Sequence, residues 1–273
     1  MSLTESSIDI SSCSYSGKLY KLIMTTNVYD LTAGLLTSDS RWSCELENDW
    51  IAFVDNTGCN KIVFDDELAM LFAGDIDIIE LWKCWIANGR KGTHPPVDDS
   101  MSGDSISVII VDISDGGVVF ETDYLLKSIA PSFSVEAVYS GTGGTYAKNC
   151  WQENRCAKRA VETAMRSDIF SGGDVLHYCR NSLTTNVPTP IQSEDVNRLM
   201  KERGYMQKNI GSQAVLIRDA ANDLSNPELH SLATKVMSGK VKLSAPFPGM
   251  NQPWTNEKKA ELNTVLNKYA PKK

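Results

Sequence analysis

The chain has 273 residues, of which 42% are hydrophobic and 22% charged, a composition typical of a globular protein with a sizeable core. No apolar run approaches the roughly 20 residues that a membrane-spanning helix requires. The formal net charge of −7 disfavours nucleic acid as the main partner. We therefore expect a protein that binds neither nucleic acid nor membrane.

The cysteines and histidines predict neither disulfides nor a bound metal. Seven cysteines are present without a CxxC pair, and the three histidines lie far apart in the sequence. Reduced thiols are the better interpretation, and we expect no metal and no cofactor. Residues 1–24 are serine-rich and lack the basic and apolar regions of a secretory signal. This pattern indicates a leader or propeptide-like segment on a cytoplasmic protein.

The first part of the chain has the pattern of short strands. Residues 18–31 are rich in β-formers and meet 34–39 across a Thr-Ala-Gly turn, which predicts a hairpin. Further strands are predicted at 50–55, 61–64 and 68–73, each bounded by polar or glycine-containing turns.

The hydrophobic period then changes to that of a helix. From Asp75 to Gly89, apolar residues recur every three or four positions, which predicts an amphipathic helix. Strands are predicted at 105–113, 118–122 and 135–140, and a last strand at 174–179. A second long helix is predicted to start after Gly143-Gly144 and to run to about Ser167. Two sheets with helices outside them would satisfy both patterns.

The region beyond Pro188 differs in composition. It predicts helices joined by proline-containing linkers, at 193–203, 213–222, 227–237 and 255–269. Residues 186–273 contain 13 Lys and Arg against 8 Asp and Glu, whereas the rest of the chain is acidic. A basic region can dock on an acidic body or neighbouring subunit, or it can be a solvated helical surface. We divide the chain into residues 1–24, a domain over 25–185 and a helical extension over 186–273.

Six short motifs occur in order along these elements. They are Thr25-Thr26, Ser-Asp-Ser-Arg at 38–41, Asn-Lys-Ile at 60–62, Leu-Phe-Ala-Gly at 71–74, Ser-Gly-Thr-Gly-Gly-Thr-Tyr-Ala at 140–147 and Asp-Ile-Phe-Ser-Gly-Gly at 168–173. Together they resemble the proteasome β-subunits and HslV-type threonine peptidases of the N-terminal nucleophile hydrolase class. The resemblance implies an α/β fold, the four-layer αββα sandwich of that class, with the helical extension appended.

The resemblance also implies a nucleophile. Thr25 would attack the scissile carbonyl with its hydroxyl, and its free α-amine would take the hydroxyl proton. Lys61 would lower the pKa of that amine by charge repulsion, and Asp39 would hold Lys61 charged and oriented.

Four further positions are assigned by the same resemblance. The backbone N–H of Gly74 would stabilise the oxyanion. Asp168 and Ser171 would complete the hydrogen-bond network around the terminal amine. Thr142 stands where the family has a serine and keeps a hydroxyl there.

Met24 precedes Thr25, where proteasome-type propeptides usually end in glycine. Translation could begin at Met24, and removal of that methionine would expose Thr25. Alternatively, residues 1–24 are retained, with 18–23 extending the first strand, and the chain is a non-catalytic binding, inhibitory or structural module.

The implied activity is hydrolysis of peptide bonds in peptides or unfolded proteins. The resemblance further implies a homo-oligomeric ring, with an unfolding ATPase as a possible partner that nothing in the sequence identifies.

Overall fold

The computed structural model describes residues 25–99, 101–189 and 192–270. Its strands are β1 (Asn27–Asp30), β2 (Leu35–Asp39), β3 (Trp42–Glu45), β4 (Ile51–Val54), β5 (Ile62–Phe64), β6 (Leu68–Asp75), β7 (Ile106–Asp112), β8 (Val118–Glu121), β9 (Leu126–Ile129), β10 (Val135–Ser140), β11 (Val175–Cys179), β12 (Thr184–Thr185), β13 (Tyr205–Gln207), β14 (Val215–Leu216) and β15 (Ser244–Ala245). Its α-helices are α1 (Ile76–Ala87), α2 (Gly144–Asn154), α3 (Ala157–Ser167), α4 (Ser193–Arg203), α5 (Ile217–Ala220), α6 (Pro227–Met237) and α7 (Asn256–Lys268).

The strands form two sheets. The first has the order β12-β11-β2-β1-β10-β9, and the second has the order β14-β13-β4-β3-β15-β6-β7-β8, with β5 pairing to β6 outside that path. Neighbouring strands are antiparallel in both sheets. Because β15 lies between β3 and β6, a short strand from late in the chain completes the second sheet.

Three buried apolar clusters connect the sheets to each other and to the helices. One joins β1 and β10 of the first sheet to α2 and α3, for example Tyr139 against Trp151. A second lies between the sheets and includes Leu36 from the first and Leu71 from the second. The third joins the other face of the second sheet to α1, α4, α6 and α7. Buried apolar side chains thus connect the two sheets to each other and each sheet to helices, and the protein is a mixed α/β protein.

Local signals explain the elements that the sequence predicted. The hairpin forms as β1 and β2, with Asn27 opposite Ser38. The Asp75 side chain caps α1 by accepting the backbone N–H groups of Asp77 and Ile78, both at 3.0 Å. Asn226 caps α6 in the same way, with a proline at the first helical position.

The continuous helix predicted between Gly144 and about Ser167 is wrong only in its continuity, because the chain forms α2 and α3 with a break between them. Arg155 ends α2 in the left-handed conformation, at φ 50°, and Cys156 is extended. The Arg155 guanidinium stacks over Trp151 at 4.5 Å and pairs with Glu136 at 2.6 Å. These contacts favour the break, which lets both helices lay small residues on the first sheet.

The C-terminal region is only partly helical. The helices predicted at 193–203, 227–237 and 255–269 are confirmed as α4, α6 and α7. The helix predicted at 213–222 is wrong over most of its length, because β14 and the single turn of α5 replace it. Three strands of this region, β13 to β15, join the second sheet, so its description as a helical extension is incomplete.

Short strands account for most of the remaining differences. The sequence did not predict β3, β9 or β12, each of which has four residues or fewer. The strand segment predicted at 18–24 lies outside the described residues. Among the described residues, no helix is long and apolar enough to cross a membrane.

Candidate active site

The β1–β2 hairpin brings Thr25 and Asp39 together. Thr25 and Thr26 directly precede β1, and Asp39 is the last residue of the antiparallel β2. The backbone N–H of Asp39 donates to the Thr26 carbonyl at 3.1 Å, which extends the hairpin pairing by one residue. Thr25, Thr26 and Asp39 are fully buried.

Lys61 reaches the same point from the second sheet. It directly precedes β5, and its ammonium donates to Thr25 Oγ1 at 2.6 Å and to Asp39 Oδ1 at 2.9 Å. Thr25 Oγ1 donates to Asp39 Oδ1 at 2.5 Å. The three side chains therefore form a closed triangle of hydrogen bonds that excludes bulk water.

Backbone donors complete the surroundings of Asp39. Its Oδ1 also accepts the N–H of Thr26 at 2.9 Å, and its Oδ2 accepts those of Arg41 at 3.1 Å and Gly172 at 3.2 Å. A buried carboxylate needs such partners to offset its loss of hydration. Asp39 is thus held in a single orientation toward Thr25.

Burial lowers the pKa of Lys61, and the neighbouring Asp39 carboxylate opposes that shift. The ammonium therefore releases a proton more readily than a surface lysine does. While protonated, it places a positive charge 2.6 Å from Thr25 Oγ1, which favours the alkoxide of that hydroxyl.

A second chain of hydrogen bonds runs from Asp168 toward the nucleophile. Asp168 Oδ2 accepts from Ser171 Oγ at 2.6 Å, and Ser171 Oγ lies 2.8 Å from Thr26 Oγ1. Burial raises the pKa of Asp168 to about 6, although hydrogen bonds from Ser171 and the Phe170 N–H oppose the shift. Asp168 and Ser171 thus reach the site through Thr26.

The loop between β10 and α2 packs directly on the carbonyl of Thr25. The Gly143 N–H donates to this oxygen at 3.2 Å. Gly141 has φ +81°, and a side chain there would place its Cβ 2.0 Å from the same oxygen. Thr142, which the sequence assigned to the site, is buried in this loop at 8% exposure.

Gly74 lies on the second sheet near the end of β6. Its φ is +122°, and a Cβ there would lie 2.3 Å from the Ser105 carbonyl, so only glycine fits. The Asn27 side chain donates to the Phe72 carbonyl at 2.8 Å and thereby ties the start of β1 to this part of β6. In the sheet register, Gly74 pairs with Ala245 of β15.

Sequence reasoning assigned no role to Arg41, although it noted the motif that contains it. Arg41 makes a bidentate pair with Asp55, with both distances 2.8 Å, and donates to the Ile169 carbonyl at 2.6 Å. Its guanidinium lies 3.7 Å above the Phe53 ring. Arg41 thus braces the turn at 168–173 against the second sheet, a role that requires the partners to be known.

The geometry brings together Thr25, Asp39 and Lys61, and places Asp168, Ser171 and Thr142 in adjoining segments. Within the described parts of the chain, no group of three or more His, Cys, Asp or Glu side chains could hold a metal ion. The six cysteines found there are free thiols. The chemistry available is that of a hydroxyl, an ammonium and a carboxylate.

Comparison with known proteins gives distant structural matches. No family model and no curated protein matches the chain. Eukaryotic HslV from Trypanosoma brucei is 17% identical, with 56% of this chain and 97% of HslV covered and a TM-score of 0.35. BPH from Thiobacillus denitrificans is 14% identical, with 57% and 96% covered and a TM-score of 0.35. The same protein in complex with epoxomicin is 14% identical, with 51% and 97% covered and a TM-score of 0.29. At these TM-scores, the matches carry no argument about the residues of the candidate site.

Proposed function

We propose that this protein is a threonine peptidase of the N-terminal nucleophile class, with Thr25 as the nucleophile. The observation that carries the proposal is the buried contact of Thr25 Oγ1 with both Lys61 Nζ, at 2.6 Å, and Asp39 Oδ1, at 2.5 Å. A hydroxyl between an ammonium and a carboxylate is suited to losing its proton and attacking a carbonyl. We also propose that the two sheets and their outer helices form the αββα sandwich of that class.

The first chemical step is attack of Thr25 Oγ1 on the carbonyl carbon of a peptide bond. The hydroxyl proton passes to the α-amine of Thr25, once that amine is free, because its pKa of roughly 8 suits a base near neutral pH. The Lys61 ammonium stabilises the developing alkoxide, and Asp39 keeps Lys61 in place. The Gly74 N–H is proposed to hold the oxyanion.

Collapse of the tetrahedral intermediate breaks the carbon–nitrogen bond. The protonated α-amine donates its proton to the leaving amine, and the acyl group remains as an ester on Thr25. Water then attacks the ester, with the amine again acting as the base, and releases the carboxylic acid. Asp168 and Ser171 position this machinery through Thr26.

The setting of this reaction rests on the family resemblance. We propose a homo-oligomeric ring that acts on peptides or unfolded proteins in the cytoplasm. An unfolding ATPase is a natural partner for such an assembly. The six free cysteines in the described parts of the chain fit a reducing compartment.

A second candidate is a non-catalytic module with the same fold. Two observations favour it. The nitrogen of Thr25 is joined to Met24 by a peptide bond in the 273-residue chain, and an amide nitrogen is not a base. Thr25 is also fully buried, so no substrate reaches it in this form. On this alternative the site is structural.

Intact mass and N-terminal sequencing of protein purified from its native host separate the two candidates. The peptidase proposal requires a population of chains that begin at Thr25. This population should form a covalent adduct on Thr25 with epoxomicin, the compound bound to BPH in its solved complex. A population that retains residues 1–24 should form none.

Recombinant protein provides the matched controls. A gene that starts at Met24 yields Thr25 as the first residue after the initiator methionine is removed. The Thr25→Ala version should form no adduct and hydrolyse no peptide, whereas Thr25→Ser should retain some of both. The peptidase proposal is contradicted if native chains keep residues 1–24 and recombinant chains that start at Thr25 form no adduct. The non-catalytic module is then the supported function.

A further inference from the structure

A gap in the second sheet lies beside the candidate site. β3 begins three residues after Asp39, and β6 carries Gly74, yet β3 and β6 do not pair with each other. β15, which has two residues, lies between them and pairs with both. On its far side β3 pairs with β4 along its full length, and β6 pairs with β7. We call the space between β3 and β6 the slot.

Ser244 and Ala245 occupy the slot as β15, and Leu243 precedes them. Ser244 is opposite Ser43 of β3 and Asp75 of β6, and Ala245 is opposite Gly74. The Ile76 N–H donates to the Leu243 carbonyl at 3.4 Å. An extended peptide that adds to open strand edges makes backbone pairings of this kind whatever its sequence.

The amide of Gly74 faces this slot. Backbone N–H groups alternate between the two edges of a strand. The Phe72 N–H donates to the Lys61 carbonyl on one edge of β6, and the Ile76 N–H donates to Leu243 on the same edge. Gly74 lies midway between them, so its N–H points to the edge where Ala245 is seated.

Side chains at both ends hold the segment in place. At one end, the Lys242 ammonium lies 2.8 Å from Asp75 and 2.9 Å from Asp104. At the other end, Phe247 packs in a small buried cluster with Ala73 and Met250. We call residues 242–247 the plug.

Few backbone pairings hold the plug in the second sheet. The plug belongs to the linker that joins α6 to α7, and its Leu243 and Ala245 side chains are buried in the same core cluster as both helices, where a bound peptide of like side chains would replace them. A strand of two residues contributes few backbone hydrogen bonds, so its opening costs less than opening of the central strands. The hydroxyl of Ser43, buried opposite Ser244, has no hydrogen-bond partner among the described residues, so the plug leaves one polar group of the slot unused.

We propose that the slot is a binding site for an extended peptide and that the plug is its intramolecular occupant, which must leave before another peptide binds. This proposal rests on the proposed function for what happens after binding. The slot takes an extended peptide, because recognition uses the backbone of two strand edges. It favours apolar side chains at the positions of Leu243 and Ala245, which are buried in the core cluster. The plug therefore keeps the site closed in the form described.

The register also explains how the plug escapes cleavage. If the Gly74 N–H holds the oxyanion, the carbonyl seated there is that of Ala245, and the bond presented is Ala245–Pro246. This bond is a tertiary amide, and the proline ring crowds the nitrogen that would have to leave. The segment is thus suited to occupying the slot without being consumed.

The test is peptide binding by the full 273-residue chain, which does not require a free amine on Thr25. The release variant Lys242→Ala/Phe247→Ala removes both anchors. Its matched control, Lys240→Ala/Phe133→Ala, removes one exposed lysine near the plug and a phenylalanine that is 90% exposed. The probe is a fluorescein-labelled peptide with the sequence of residues 242–248. Its binding is measured by fluorescence anisotropy.

We expect the release variant to bind this peptide at least tenfold more tightly than the control variant does. The same peptide with an N-methyl group on the Ala245 nitrogen should bind neither the release variant nor the control variant, since it lacks the N–H that faces β6. Hydrogen exchange at residues 243–245 should be at least tenfold faster in the release variant. Equal binding by two variants with the same circular dichroism would overturn the proposal.

A disulfide lock guards against a release variant that has merely loosened its fold. Ser43→Cys/Ser244→Cys, added to the release variant, joins directly opposed residues of neighbouring strands, which suits disulfide geometry. Oxidation should abolish peptide binding and reduction should restore it. Binding that persists in the oxidised form would show that the peptide binds elsewhere and would overturn the proposal.

The outcomes separate this inference from the proposed function. Suppose that the release variant binds the peptide more tightly than the control, but chains that begin at Thr25 form no epoxomicin adduct. The slot proposal is then supported and the peptidase proposal is contradicted. Suppose instead that the epoxomicin adduct forms at the same rate with and without the plug anchors, and that peptide binding does not change. The peptidase proposal is then supported and the slot proposal is contradicted.

Discussion

Two lysine–aspartate pairs have similar nitrogen–oxygen distances but differ in how deeply the lysine is buried. Lys61 lies 2.9 Å from Asp39 with both side chains buried, at 1% and 0% exposure. Lys242 lies 2.8 Å from Asp75, which is also buried, but its own side chain is 42% exposed. The first lysine is enclosed between two sheets, whereas the second can move into solvent without leaving its charge buried. The comparison shows why one pair is part of the core and the other can serve as a detachable anchor.

The largest expected effect is that of breaking the enclosed pair. Lys61→Ala leaves the Asp39 carboxylate buried without its cation, which should lower the free energy of unfolding by about 3–5 kcal/mol. Urea denaturation of the full chain measures the loss. The double variant Lys61→Met/Asp39→Asn removes both charges and should recover most of it. An equal loss in both variants would mean that packing, and not the unpaired charge, sets the cost.

The next effect is a pH dependence that comes from Asp168. Its pKa of about 6 in the folded protein exceeds the ordinary value of 3.8, so between these values the folded state binds a proton that the unfolded state releases. Asp168 therefore stabilises the folded state at about pH 4, and this contribution is lost as the pH rises to about 6. The loss in the free energy of unfolding is roughly 3 kcal/mol at most. Asp168→Asn should remove this contribution. A stability difference between variant and wild type that does not change with pH over this window would contradict the assignment.

A smaller effect is expected from the hydroxyl of Thr25. Thr25→Ala removes one partner from Lys61 and one from Asp39 but leaves those two paired, so we expect a loss of about 1–2 kcal/mol. Thr25→Ser keeps the hydroxyl and should lose less. Thermal unfolding of the full chain distinguishes the two variants, and a serine variant as unstable as the alanine variant would point to the methyl group instead.

The smallest effect is that of the half-exposed anchor. Lys242→Ala should cost about 1 kcal/mol, because the exposed ammonium is screened by solvent and salt and the Asp75 carboxylate keeps the N–H groups of Asp77 and Ile78 at the start of α1. Lys235→Ala, which breaks an exposed pair with Glu47, is the matched control and should have no measurable effect. A loss from Lys242→Ala as large as that from Lys61→Ala would remove the distinction between core pair and anchor.

Much of the region 25–185 could be predicted because its signals are local. Hairpin, capping and periodicity rules located β1, β2 and α1 there, and α6 farther along the chain, to within a few residues. The ordered motifs pointed to Thr25, Asp39 and Lys61, which the structure brings together; their catalytic roles stay predictions. Arg155 shows the limit of such rules, because its guanidinium, besides stacking on Trp151 of the same helix, pairs with Glu136 on the separate strand β10.

The sequence by itself determined where chains turn, where helices begin, and which polar residues follow strand ends, since these depend on neighbours within a few positions. Only the tertiary structure decided that Lys61 crosses from one sheet to Thr25 on the other, and that Ser244 and Ala245 fill the slot beside Gly74. Strand pairing uses backbone groups that every residue other than proline carries. A two-residue strand in a proline-containing linker therefore leaves no pattern in the sequence, and its partners become visible only when the chain is folded.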